Sequence, residues 1–216
     1  GSLGMETCFV NLVTPGDKVI VCVNGVFGQR MAENVRRIGG VPVIVEDAWG
    51  APVDPAKVEA AFAANPDAQL FAFVHAETST GALSDAATLA AIARRYGAVT
   101  IMDCVTSLGG VPVLLDEWGI DAAYSGSQKC LSCTPGLSPV SFSEAAVAYL
   151  NDVVANFGEV DALRIKEIEK TTNHDVKAVE YWIRGNADMG VAGIFAQFPN
   201  LQKMGEFVHF ACTSED

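Results

Sequence analysis

The chain has 216 residues, of which 50% are hydrophobic and 19% are charged, and its formal net charge is −12. This length predicts one domain, or one and a part, with a sizeable core, and no run of about 18 uninterrupted apolar residues indicates a membrane span. The acidic balance argues against nucleic-acid and anionic-membrane partners, because both are bound by clustered Lys and Arg, and any anionic ligand is expected to be held by local geometry.

Residues 17–142 alternate between short β-branched runs and Ala-rich helical stretches. The predicted strands are residues 18–23, 41–46, 69–74, 98–102 and 139–142. Such alternation predicts βαβ units and a mostly parallel sheet that is covered on both faces. The predicted fold class is therefore α/β. Polar residues beyond the carboxyl ends of the strands are the first candidates for a ligand site.

The clearest helix is predicted over residues 84–97. Ser84 is its predicted N-cap, Gly97 closes its end, and the apolar residues between them recur at helical spacing. Past Tyr149 the character of the sequence changes, because strand signals vanish, charge becomes dense and the apolar pattern turns helical. We therefore predict two parts, residues 1–148 and an α-helical segment over residues 149–216.

Six cysteines are scattered through the chain, namely Cys8, Cys22, Cys104, Cys130, Cys133 and Cys212. No signal peptide precedes them, so we expect reduced thiols in a cytoplasmic protein. Cys130 and Cys133 form a C-x-x-C, a spacing that redox and zinc pairs share. Because no second pair or nearby His completes such a site, no metal is predicted.

Asp103 and Lys129 stand at the ends of two strand-like runs and are expected to share one crevice. A carboxylate placed there is costly unless it meets a cation. One interpretation is a salt bridge between the two side chains. The other is a pyridoxal 5′-phosphate (PLP) site, in which a lysine amine serves as Schiff-base nucleophile and an aspartate faces the ring nitrogen. The spacing alone leaves both open.

Four stretches carry a family resemblance. They are GSLGMETCFVNLVTPGDKVIVCVNGVFGQR, HAETSTGALSD, IMDCVTSLGGVPVLLDEWGIDAAYSGSQKCL and PGLSPVSFS. Together they resemble the large domain of the class V aminotransferases, in particular the alanine–glyoxylate and serine–pyruvate aminotransferases, over residues 1 to about 148. The resemblance implies a PLP fold type I large domain with PLP as cofactor. It also implies an amino acid and a 2-oxo acid as substrates, and a homo-oligomer.

The same resemblance assigns roles to individual residues. It implies that Lys129 is the catalytic residue and forms the Schiff base, and that Asp103 pairs with the pyridine nitrogen. The further cofactor-binding residues that it implies are Gly1, Ser2, Phe27, Thr78, Val105 and Gln128.

Some of these positions have ordinary structural alternatives. The resemblance makes Phe27 the aromatic residue that stacks on the cofactor ring, whereas the residues alone would make it part of the core. Thr78 would otherwise be a turn residue. Gly1 and Ser2 match the family's phosphate-binding turn, which leads into a helix expected to begin near Met5. Backbone N–H groups at that helix start would hold the phosphate.

Residues 149–216 carry a second resemblance. The stretches DALRIKEIEKTTNHDVKAVEYW and FVHFACTSED resemble the N-terminal region of adenylosuccinate lyases. That resemblance implies nucleotide-substrate contacts at Asn173, His174, Asp175, Thr213 and Ser214. From the residues alone, His174 and Asp175 are as readily a helix cap with a solvated neighbour.

Three functions follow from these patterns. The first is a PLP-dependent transaminase of the alanine/serine–glyoxylate/pyruvate type with its Schiff base at Lys129. It is expected to be incomplete, because the aminotransferase small domain and the lyase catalytic motifs have no counterpart in the sequence. The alternatives are a fragment of adenylosuccinate lyase, an enzyme of purine biosynthesis, and a non-catalytic chimera or scaffold.

Overall fold

Six strands form one sheet in the computed structural model, which describes residues 1–148. The strands are β1 (Lys18–Val23), β2 (Val41–Glu46), β3 (Leu70–Val74), β4 (Val99–Asp103), β5 (Ala122–Tyr124) and β6 (Val140–Phe142). Their order across the sheet is β2-β1-β3-β4-β5-β6. Strands β1 to β5 pair in parallel, and β6 pairs with β5 in the antiparallel direction. The predicted α/β fold with a mostly parallel sheet is confirmed.

Helices cover both faces of this sheet. They are α1 (Ser2–Leu12), α2 (Val26–Ile38), α3 (Pro55–Ala64), α4 (Ala86–Arg95) and the short α5 (Leu115–Trp118). Helices α3 and α4 share one core with Phe71 and Phe73 of β3. Ala72 lies between them and is fully buried as well. Neighbouring strand residues point to opposite faces, so Ala72 must be covered from the other side of the sheet. Helices α1 and α2 contact the sheet there and cover this second face.

Two helix starts differ from the sequence-based expectation. The N-cap of α4 is Asp85, whose carboxylate accepts a hydrogen bond from the Thr88 backbone N–H, whereas the Ser84 hydroxyl accepts from the Val53 backbone N–H. The competing partner Val53 lies far away in the sequence, so the local pattern could not reveal it. Helix α1 begins at Ser2 and not near Met5. The predicted phosphate-binding turn is therefore the first turn of the helix itself.

No helix within residues 1–148 is long and apolar enough to cross a membrane. These residues form one compact unit. The α-helical segment predicted over residues 149–216 lies outside the described residues and stays a prediction, as does the boundary between the two parts.

Candidate active site

Asp103 ends β4 at the carboxyl edge of the sheet, and only 2% of its surface is exposed. Its Oδ1 accepts a hydrogen bond of 2.8 Å from the Val105 backbone N–H. Burial raises the pKa of its carboxyl to about 6, against the lowering effect of that hydrogen bond, and the nearby Glu77 carboxylate adds to the rise. The Tyr124 hydroxyl is buried beside Asp103 and also lowers the pKa of the Asp103 carboxyl, although it forms no hydrogen bond of ordinary geometry among the described residues. Asp103 is thus a buried acid with few compensating donors.

Gly1, Val105 and Gln128 lie together next to Asp103. A Cβ atom at Gly1 would lie 2.6 Å from Val105 Cγ2, and a Cβ atom at Gly126 would lie 2.8 Å from the Gly1 nitrogen and 2.9 Å from Gln128 Oε1. Glycine at both positions therefore allows three chain segments to approach one another closely. The structure brings together the start of α1, the loop after β4 and the loop after β5.

Thr78 joins this group through the loop after β4. Its hydroxyl forms a hydrogen bond with the Thr106 hydroxyl, one residue beyond Val105. The thiol of Cys130 donates to the Thr106 carbonyl oxygen over 2.9 Å. Thr106 consequently ties the loop after β3 to the turn that carries Lys129. The described cysteines, Cys130 among them, are free thiols.

Lys129 lies on an exposed turn after β5, directly after Gln128. Its carbonyl oxygen accepts a hydrogen bond of 2.9 Å from the Ser132 backbone N–H, which closes the turn. No ion pair joins Lys129 to Asp103 within the described part of the chain. The salt bridge that the sequence left open is therefore not formed, and Lys129 is exposed.

Phe27 and Ser2 are linked by Arg30. Phe27 lies half-buried in the first turn of α2, and the Arg30 guanidinium carbon lies 5.2 Å from the centroid of its ring. An Arg30 N–H also donates to the Ser2 hydroxyl oxygen over 3.1 Å. The residues predicted to contact the cofactor ring and its phosphate thus share one cationic neighbour.

Glu77 was missed by the sequence analysis. It is fully buried just beyond β3, and its carboxylate accepts four hydrogen bonds. Two come from the backbone N–H groups of Phe27 and Gly28, and two come from the backbone and hydroxyl of Ser79. An acidic residue in the loop just beyond an apolar strand, as in HAETST, was the signal that could have identified it. Glu77 fixes the start of α2 and with it the position of Phe27.

Known proteins share this fold and are similar to this chain in sequence. Alanine–glyoxylate aminotransferase of Oryctolagus cuniculus is 41% identical over 147 residues, which are 68% of this chain and 37% of that protein. (S)-Ureidoglycine–glyoxylate transaminase of Bacillus subtilis is 34% identical over 70% of this chain and 35% of its own. The crystal structure of alanine–glyoxylate aminotransferase from Nostoc sp. matches with a TM-score of 0.67 at 40% identity, over 70% of this chain and 40% of that one. The chain spans 35% to 40% of the length of these relatives.

The family model described as "Aminotransferase class-V" matches residues 3–178, beyond the boundary predicted near residue 148. The comparisons give no support to the lyase resemblance or to a chimera. The residues that the lyase resemblance implied, Asn173, His174, Asp175, Thr213 and Ser214, lie outside the described residues. Since the family model covers most of the chain, and relatives of the same kind match at more than a third identity, the chain belongs to the class-V aminotransferase family.

Proposed function

We propose that the chain is a PLP-dependent aminotransferase that moves an amino group from an amino acid to a 2-oxo acid. Class-V aminotransferases depend on PLP, and the chain belongs to that family. Two relatives differ in the named amino donor, alanine in one and ureidoglycine in the other, but both names contain glyoxylate. Glyoxylate is therefore the proposed acceptor, and alanine is the first donor to test.

The residues at the site fit this cofactor. The single observation that carries the proposal is Asp103, a carboxylate buried at the carboxyl edge of the sheet beside a Tyr124 hydroxyl that has no hydrogen bond of ordinary geometry among the described residues. Such a carboxylate is stabilised by a protonated ring nitrogen. Helix α1 has no side-chain N-cap bond and no acidic residue in its first turn, so it is suited to accept a phosphate at Gly1 and Ser2.

Other residues would hold the ring between these two ends. Phe27 would stack on it, and Thr78, Val105 and Gln128 would line it, because hydrogen bonds and close contacts already connect their loops. When bound, PLP withdraws electrons from the α-carbon of the amino acid. Asp103 would keep a proton on the ring nitrogen, which strengthens that withdrawal.

Lys129 would have two tasks. Lys129 is exposed, and its amine would attach to the aldehyde of the cofactor as Schiff-base nucleophile, with the aldehyde oxygen leaving as water. Once an amino acid has taken its place, the free amine would act as general base and take the proton from the substrate α-carbon. The turn closed by the bond from Ser132 to the Lys129 carbonyl would keep the amine near that carbon.

An absorbance titration with PLP tests this function. The wild-type chain should show an absorbance band at longer wavelength than free PLP, typical of a Schiff base, that Lys129→Ala lacks, while Lys18→Ala, which removes a lysine paired with Asp67, should behave as wild type. Incubation with L-alanine and glyoxylate should then yield pyruvate and glycine. A wild-type chain that takes up no PLP, or a band that persists in Lys129→Ala, would contradict the proposal.

Assembly and compartment belong to the same proposal. The family resemblance implies a homo-oligomer, and free thiols at Cys8, Cys22 and Cys104 fit a reducing compartment such as the cytoplasm. Light scattering of the purified chain tests the first point: a mass of more than one chain is expected, and a strict monomer would contradict it.

A further inference from the structure

We propose that Arg30 is a positioning residue for the phosphate of the cofactor and that it acts through the Ser2 hydroxyl. This inference rests on the proposed function and goes beyond it, because neither the motif resemblance nor the spacing assigned Arg30 a role. The ligand group it serves is a phosphate monoester. The cation would act on the phosphate end of the ligand and not on its ring.

The geometry sets the direction of the Ser2 hydroxyl proton. Arg30 donates to Ser2 Oγ over 3.1 Å, so the lone pair that faces Arg30 is occupied. A hydroxyl group has one proton and two lone pairs, and a hydroxyl that accepts from a guanidinium directs its own proton elsewhere. At the first residue of α1, that proton would be free to bind the phosphate together with the backbone N–H groups of the helix start.

Charge supports the same assignment. The other arginines of α2, Arg36 and Arg37, form ion pairs with Glu33 on the same helix. Arg30 forms no ion pair with any residue in the range 1–148. Its guanidinium instead lies over the Phe27 ring and holds Ser2, which fixes it between two elements of the site. In a chain of net charge −12, an uncompensated cation beside a helix N-terminus provides a local attraction for a dianion.

The test compares PLP with pyridoxal, the same compound without its phosphate. Equilibrium dialysis of the full chain gives the dissociation constant of each. Arg30→Gln should weaken PLP binding about five- to tenfold, because a charge-assisted contact is lost, and should leave pyridoxal binding within about twofold. Arg30→Lys should recover part of the loss. Arg36→Gln, which removes one charge from the same helix, serves as the matched control and should change neither constant.

A double-mutant cycle with Ser2→Ala separates action through Ser2 from a general charge effect. If Arg30 acts through the hydroxyl, Arg30→Gln should weaken PLP binding much less in the Ser2→Ala background than in the wild type. Equal losses in the two backgrounds would overturn the inference. So would an unchanged ratio of PLP to pyridoxal affinity in Arg30→Gln, given a wild-type chain that binds PLP. A wild-type chain that binds neither compound contradicts the proposed function, and the inference fails with it.

Discussion

Asp103 ends β4 and Glu77 lies in the loop beyond neighbouring β3, and both carboxyl groups are buried, but their surroundings differ. Glu77 accepts hydrogen bonds from four donors, two of them at the start of α2. For Asp103, one backbone N–H donates at hydrogen-bond distance, and the Tyr124 hydroxyl makes no hydrogen bond of ordinary geometry among the described residues. The first carboxylate is stabilised by the fold itself. The second retains a large desolvation cost, which a cationic ring nitrogen would offset.

Asp103→Asn is expected to stabilise the ligand-free chain at neutral pH. The carboxyl pKa rises from its ordinary 3.8 to about 6 in the folded state, mainly through burial. Below about pH 4 both states hold the proton and there is no cost. Between about pH 4 and about pH 6 the unfolded chain loses its proton first, so stability falls, by up to about 3 kcal/mol. The gain from the substitution should therefore increase with pH and level off above about pH 6.

Urea denaturation of the wild type and Asp103→Asn at several pH values measures this difference. The comparison cancels the titration of all other groups. A gain that is the same at every pH, or a loss of stability at neutral pH, would show that Asp103 carries no burial cost.

Glu77→Gln is expected to destabilise the fold by about 2 kcal/mol. Glutamine keeps one acceptor oxygen, so its amide N–H₂ would face either Ser79 or the N–H groups of Phe27 and Gly28. Glu33→Gln is the matched control, because Glu33 is an exposed residue of α2 whose ion pairs contribute less than about 1 kcal/mol. Similar urea midpoints for the two variants would contradict this account of Glu77.

Individual site residues differed in how far the sequence could predict them. Asp103 was identifiable because it directly follows an apolar run, and a strand end places a side chain at the carboxyl edge of a parallel sheet. Arg30 was not, because its partner Ser2 lies 28 residues away on another helix, and no local pattern encodes that contact. Glu77 was less apparent than Asp103, because His75 and Ala76 separate it from the apolar strand and it stands in a stretch that resembles a turn.

At the scale of elements, strands were predicted more accurately than helix ends. The bounds of β1 and β2 match the apolar runs at residues 18–23 and 41–46. Strand β1 is buried over most of its length, as an apolar run predicts, whereas β2 is an edge strand in which only Val45 is buried. The direction of β6 had no such signal, since β-branched residues suit either direction of pairing. An N-cap residue is the one whose side chain accepts from the first backbone N–H groups. At α4 both Ser84 and Asp85 could do so, and the residue that does is Asp85.

Asp85→Ala and Ser84→Ala should differ in their pH dependence. Asp85 accepts from the backbone N–H and the hydroxyl of Thr88, which lowers the pKa of its carboxyl. Its contribution of about 1 kcal/mol is therefore present at neutral pH and lost as the pH falls below the ordinary value of 3.8. Ser84 has no charge to lose, so the cost of Ser84→Ala should be constant. Urea midpoints from about pH 7 to about pH 3 measure both, and a constant cost for Asp85→Ala would contradict its role as N-cap.

At the scale of the whole molecule, an acidic chain can bind a phosphate only where local structure overcomes the mean charge. Its net charge of −12 repels anions at long range, and screening limits that repulsion to about 10 Å. Within that distance the start of α1 and the Arg30 guanidinium supply local positive charge. An acidic chain can therefore hold an anionic cofactor at this site. The residue that decides the proposed function is Lys129, to which the cofactor would attach on the turn after β5.

Borohydride reduction of the chain incubated with PLP, followed by mass mapping of its peptides, tests the role of Lys129 most directly. Reduction makes the link between the cofactor and an amine permanent. We predict a single phosphopyridoxyl group on the peptide that contains Lys129, with other lysines such as Lys18 and Lys57 unmodified. Label spread over the exposed lysines, or absent from Lys129, would contradict the assignment of this site.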